Sequence, residues 1–216
     1  MVSHAPTHLT PRKKPRQARS AATVDAIFEA TIQVLVVDGP DRLTTTRVAE
    51  RAGVSVGTMY QYFPHKQALF YALNERYLTA LAERVERTAR AQHGARIGEM
   101  VKAIVTAYWA AKMERPEVTR ALYRSVVELD NESLIEAFAR RVDAATAAML
   151  ATAPDAAFAD LRIVTLTLLT TIFGAVRSVF ERDLPSLEAS AVQHELILMC
   201  EAYLAAVTSV PGRTAE

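Results

Sequence analysis

The groups best suited to chemistry in this sequence lie between Thr44 and Lys66, and they suit the reading of a surface better than the breaking of a bond. In Ser55-Val56-Gly57-Thr58-Met59-Tyr60-Gln61-Tyr62, the Gln61 amide can pair bidentately with adenine, and Val56 can touch a thymine methyl. Gly57, with no side chain, lets the backbone come close to a duplex. Thr46, Arg47, Ser55, Thr58, Tyr60, Tyr62 and Lys66 add hydroxyl and cationic groups of the kind that hold phosphate oxygens. The Glu and Lys of an ordinary solvated helix are missing from residues 55 to 62. For catalysis the sequence offers no nucleophile beside a base, no phosphate-cradling glycine loop and no carboxylate cluster with histidine. It is therefore expected to be no enzyme and to use no cofactor. His4 and His8 have the spacing of a metal pair, but they flank Pro6 and have no third ligand nearby, so no metal is expected either.

Such groups need two short helices held at a fixed angle. Thr44 can cap the first, with Leu43 and Val48 at the spacing of a hydrophobic staple; Ser55 can cap the second, with Val54 and Met59 as its staple. Gly53 supplies a left-handed residue between them. Val48, Ala49 and Ala52 form a small apolar inner face for one helix, Met59 and Phe63 for the other. The spacing predicts helix, tight turn, helix over residues 44 to 63, with every other side chain of the second helix free to enter a major groove. Before it, a helix from Ala22 carries Ile27, Ala30, Thr31, Val34 and Leu35 on one stripe and ends at Asp38-Gly39-Pro40. After it, Pro64 opens a long amphipathic segment, residues 65 to 90, with Leu69, Leu73, Tyr77 and Leu81 on one side.

These residues resemble the TetR family of regulators, through Asp38-Gly39, then Ala49-Glu50-Arg51-Ala52-Gly53-Val54-Ser55, then Gly57-Thr58-Met59-Tyr60-Gln61-Tyr62-Phe63 and Pro64-His65-Lys66. The resemblance covers about residues 20 to 75. It implies a three-helix helix-turn-helix head on a helical body, a homodimer on a palindromic double-stranded DNA operator, and release of DNA when a small molecule binds. Carried over by position, it makes Thr58, Tyr60, Tyr62 and Lys66 backbone contacts and puts Val56, Gly57 and Gln61 nearest the bases. His65 stands where the family often has Ser or another capping residue, which leaves the next helix with a weaker start.

The remainder of the chain fits that plan. Half of its 216 residues are hydrophobic, enough for one large domain or two modest ones. Residues 1 to 20 hold three prolines and five Lys or Arg with no acid, and are expected to be a disordered basic arm, either a solubilising tail or one that tracks a minor groove. Residues 1 to 66 carry net charge +4 and residues 67 to 216 carry −3, so the two parts are expected to meet different partners. The lone Cys200 in an apolar run, the lack of a signal-peptide pattern and the shortness of the apolar stretch Ile163 to Val176 point to a cytoplasmic protein outside the membrane.

The expected fold is all-α, divided as arm (1–20), DNA-binding domain (21–66) and helical effector-binding and dimerisation domain (67–216). Further helices are predicted near 97–114, 116–128, 132–151, 156–182 and 186–208, with no strand. Tyr108, Trp109, Met113 and Tyr123 are the candidates to line a cavity for an effector of unknown identity. The last two helices are apolar nearly all round, so a second buried surface is expected on a partner subunit, with Phe173, Gly174, Leu196 and Met199 at the interface. The functional expectation is a DNA-binding transcriptional regulator, a repressor released by a small hydrophobic molecule. The alternative is a constitutive or architectural DNA-binding protein without effector.

Overall fold

The computed structural model describes residues 18–125 and 131–209. The expected basic arm lies outside the described residues except at its end, where residues 18 to 20 open the first helix instead of extending the arm; the last part of the helix expected over 116–128 lies outside them as well. The chain groups into two compact units that interleave in sequence, Met1–Thr79 with Arg115–Ala137, and Ala80–Glu114 with Phe138–Glu216.

The first unit is built from α1 (Ala18–Asp38), a 3-10 turn (Pro40–Arg42), α2 (Thr45–Ala52), α3 (Val56–Tyr62), the first half of α4 (Lys66–Ala91) and α6 (Pro116–Ser125). One core joins them. Ile27, Val34 and Leu35 of α1 meet Leu43, Val48, Ala49, Met59, Phe63, Leu69 and Phe70, and α6 adds Val118, Ala121 and Leu122, spaced for one helix face. The polar member of the α1 stripe, Thr31, is satisfied by donating to the Ile27 carbonyl at 2.7 Å. Next to α6, Arg115 grips Glu29 of α1 through two hydrogen bonds of 2.9 and 3.0 Å. Those bonds hold the Glu29 carboxyl below its ordinary range.

The second unit contains the end of α4, α5 (Ile97–Met113), most of α7 (Glu132–Leu150), α8 (Leu161–Glu181) and α9 (Ser186–Val207). The α9 helix packs on both α5 and α8. Val164, Leu168, Leu169, Ile172, Val176, Val179 and Phe180 turn the apolar run of α8 inward. Cys200 is buried there, and loss of solvation pushes its thiol up to about 11. Two details differ from the sequence expectation. The helix predicted from residue 156 starts at Leu161, because the Asp160 side chain accepts the Ile163 N–H at 3.0 Å and caps it. Just before that cap, β1 (Ala157–Phe158) pairs antiparallel with β2 (Thr208–Ser209), strands too short to show any period. The fold class is nonetheless all-α.

Candidate nucleic-acid interface

Local hydrogen bonds set the angle between α2 and α3. Thr44 accepts the Arg47 N–H at 3.2 Å and Ser55 accepts the Thr58 N–H at 3.0 Å, so each helix has its cap. Between them Gly53 sits at φ +67°, where a side chain would be strained, and its N–H turns back to the Ala49 and Glu50 carbonyls. The hydroxyl of buried Thr45 donates to the Tyr60 oxygen at 3.3 Å and ties the start of α2 to the middle of α3. Sequence reasoning passed over Thr45; its place one residue inside a capped helix start was the available signal.

With Met59 and Phe63 in the core, Val56, Gly57, Tyr60 and Gln61 share the opposite, exposed face of α3. Val56 and Tyr60 are 40 % and 42 % exposed. A Cβ at Gly57 would meet nothing nearer than the Ser55 hydroxyl at 3.8 Å, so packing within the protomer does not demand glycine there. Thr46, Arg47 and Ser55 are exposed around this face, Thr58 and Lys66 half-buried at its edge. Arg47 lies 3.8 Å from Asp38 and donates to the Arg42 carbonyl at 3.4 Å.

Two expectations about this region change. Tyr62 is only 6 % exposed, three residues from Met59 on the inner side, with its ring 6.4 Å from that of Phe63. It is therefore not among the free side chains of α3: its ring belongs to the core, and only its hydroxyl is left for a phosphate. His65 does cap α4, since its Nδ1 accepts the Ala68 N–H at 3.1 Å. An imidazole nitrogen here does the work of the hydroxyl the sequence lacks.

In the second unit, Tyr108 and Trp109 are buried and Met113 half-buried on α5, whereas Tyr123 falls in the first unit on α6. Of the four residues proposed for the dimer interface, two face the chain's own interior. Leu196 is 3 % exposed, and Phe173 stacks on Tyr108 and Phe138 at centroid distances of 4.5 and 5.6 Å. Gly174 and Met199 are exposed. The other exposed apolar groups of these helices are Ile163 and Leu166 on α8, and Leu187, 83 % exposed, with Leu198 on α9. Among the described residues no three His, Cys, Asp or Glu gather as metal ligands.

Residues 97–204 match a family described as tetracyclin repressor-like, C-terminal domain, and residues 27–73 match bacterial regulatory proteins, tetR family. Similar curated proteins include the nucleoid occlusion factor SlmA of Actinobacillus pleuropneumoniae serotype 5b, 31 % identical over 130 residues, which is 60 % of this chain and 61 % of that one. Another is the HTH-type transcriptional repressor KstR of Mycobacterium tuberculosis, 30 % identical over 110 residues, 51 % of this chain and 49 % of that protein. The chain thus spans between about half and three fifths of the length of these relatives. Among solved structures, a TetR-family regulator from Streptomyces coelicolor superposes with TM-score 0.61 at 27 % identity, covering 86 % of this chain and 99 % of that one. SmeT, the repressor of the Stenotrophomonas maltophilia multidrug efflux pump SmeDEF, gives 0.66 at 19 % identity over 90 % and 98 %.

Proposed function

The chain belongs to the TetR family of bacterial regulatory proteins, as a DNA-binding transcriptional regulator, and from that membership we propose that it is a repressor that holds a palindromic operator as a homodimer and lets go when a small, largely apolar molecule binds its body. The observation that carries this reading is the outer face of α3, where Val56, Gly57, Tyr60 and Gln61 are exposed together while capping and core packing fix the helix beneath them. In this reading Gln61 and Val56 meet base edges, Gly57 admits close backbone approach, and Thr46, Arg47, Ser55, Thr58, Tyr60 and Lys66 hold phosphates.

Two such faces must lie about 34 to 36 Å apart to enter successive major grooves. The exposed apolar residues Ile163, Leu166, Leu187, Leu198 and Met199 support a dimer made by α8 and α9. An effector that binds one spacing of the heads better than the other weakens DNA binding by its difference in affinity for the two. That a SmeT structure is a complex with triclosan supports an apolar effector here. No catalytic step belongs to this reading.

A second reading comes from the relatives described as nucleoid occlusion factors: a DNA-binding protein spread over chromosomal sites without an effector. Gel shifts against the promoter region of its own gene, followed by titration with hydrophobic drugs and fatty acids, separate the two. The repressor reading predicts a selective complex that dissolves with at least one ligand. A selective complex that no ligand weakens favours the second reading, and the absence of selective binding to any genomic fragment sinks both.

A further inference from the structure

Burial alone asks for an apolar residue at position 45, yet a hydroxyl stands there. Thr45 opens α2 and is 8 % exposed; among the described residues its side chain makes one hydrogen bond, donating to the Tyr60 phenol oxygen at 3.3 Å. Valine has the same shape and no hydroxyl to keep satisfied, so packing does not explain threonine. As the first residue of its helix, Thr45 has no helical carbonyl one turn back to which its hydroxyl could donate instead. Two features hold that hydroxyl in place. The Thr44 cap fixes the backbone at the helix start, and a branched side chain is stiff about its first torsion.

Its partner gains both a position and a direction. Tyr60 lies on the outer face of α3, 42 % exposed, and its hydroxyl makes no other hydrogen bond among the described residues. A phenol on the outside of a short helix is otherwise free to exchange rotamers. The Thr45 contact pins its oxygen beside the start of α2, next in sequence to the exposed Thr46 and Arg47. A hydroxyl has one hydrogen to give and two acceptor positions. With the Thr45 hydrogen in one of those positions, the Tyr60 hydrogen is left to donate outside the protein. A phosphate oxygen can only accept, and accepting one hydrogen bond strengthens the one a hydroxyl donates.

We propose that Thr45 is a positioning residue for DNA binding: it holds the Tyr60 phenol as a hydrogen-bond donor to a backbone phosphate without touching the duplex itself. The inference rests on the phosphate-holding role given to Tyr60 above and deepens it. The Thr44 hydroxyl serves its own helix, whereas the Thr45 hydroxyl serves the contact that α3 makes with DNA.

Binding isotherms on a duplex that the wild type selects from genomic fragments test this, with wild type, T45V, T45S, Y60F and the double variant T45V/Y60F. Thermal melting establishes that each is folded. T45V is expected to bind about fivefold more weakly, the size of one lost hydrogen bond. T45S, which restores the hydroxyl, should recover most of that loss, and T45V should cost nothing further once Tyr60 is Phe. A loss that persists undiminished in the Y60F background, or that T45S fails to recover, marks a structural role and overturns the proposal, as does folded T45V with wild-type affinity. Y60F removes only an exposed hydroxyl, so wild-type affinity in Y60F overturns the proposal even where T45V misfolds. If the wild type selects no fragment at all, the DNA-binding reading and this inference fall together, whereas each of the other failures leaves that reading standing.

Discussion

The outer face of α3 and the outer faces of α8 and α9 are both left uncovered by the protomer, but with side chains of different character. On α3 the uncovered set is small or hydrogen-bonding: Val56, Gly57, Tyr60 and Gln61. On α8 and α9 it is bulky and apolar: Ile163, Leu166, Leu187, Leu198 and Met199. A surface that reads base edges depends on single atoms, because each edge offers its own pattern of donors, acceptors and methyls. A surface that buries itself against a copy depends on apolar area and shape, so many side chains serve equally well. Atom-sized changes should therefore matter on α3, and new charges on α8 and α9.

The largest effect is expected from Gly174→Glu. A Cβ at Gly174 meets nothing within 4 Å, so the protomer should fold normally. In a dimer the carboxylate would be buried and unpaired at a cost of about 3 to 5 kcal/mol, more than a hundredfold in dimerisation. Operator affinity should fall with it, since a lone head holds one half-site. Sedimentation at the mass of one chain is the expected result. A folded variant still at twice the chain mass, with operator affinity intact, would place the interface elsewhere and break the contrast.

Next in size, Gln61→Ala should cost about 1 to 3 kcal/mol on the operator and relax preference at one base pair, while Lys66→Ala should weaken all sequences alike and lower the salt slope by about one. Binding isotherms on operator variants at several salt concentrations check both. If the two variants proved indistinguishable, the division of α3 and its edge into base and phosphate contacts would be wrong.

A pH series sharpens the reading of the body. Native Lys112 is lowered from 10.5 to about 7, so between those values the unfolded chain holds a proton that the native one has released, and this group makes stability rise with pH by at most about 1.4 kcal/mol per unit. Lys112→Met removes the cost of burying the charge. It should be more stable than the wild type at pH 6, with the gap closing as pH rises towards 10; denaturant unfolding measures the gap, and a constant gap would contradict the assigned burial. The smallest effect is expected at the cap, where His65→Ala should cost about 1 kcal/mol of thermal stability through the lost acceptor for the Ala68 N–H.

What the sequence made legible were features decided within a few residues. The Thr44 and Ser55 caps, the left-handed Gly53 and the inward Met59 depend on near neighbours, and the structure has each where its spacing places it. Tyr62 was read from its hydroxyl alone, and the burial of its ring follows from its spacing to Met59. Features fixed by distant partners stayed hidden. Helices α8 and α9 look apolar nearly all round, and only packing against α5 and each other shows that Leu196 faces in and Leu198 out. The share of α6 in the core of the first unit rests on contacts between Val118, Ala121 and Leu122 and residues some fifty or more positions earlier. Lys112 was passed over because a lysine in a helix is ordinarily a solvated one.

The central claim is that the exposed face of α3 reads duplex DNA, and selection of bound duplexes from a random pool, run in parallel with wild-type protein and Gln61→Ala, tests it most directly. The predicted result is a two-fold-symmetric site enriched by the wild type and the same site from the variant with one position relaxed in each half. No enriched sequence, or identical sites from both proteins, would contradict it.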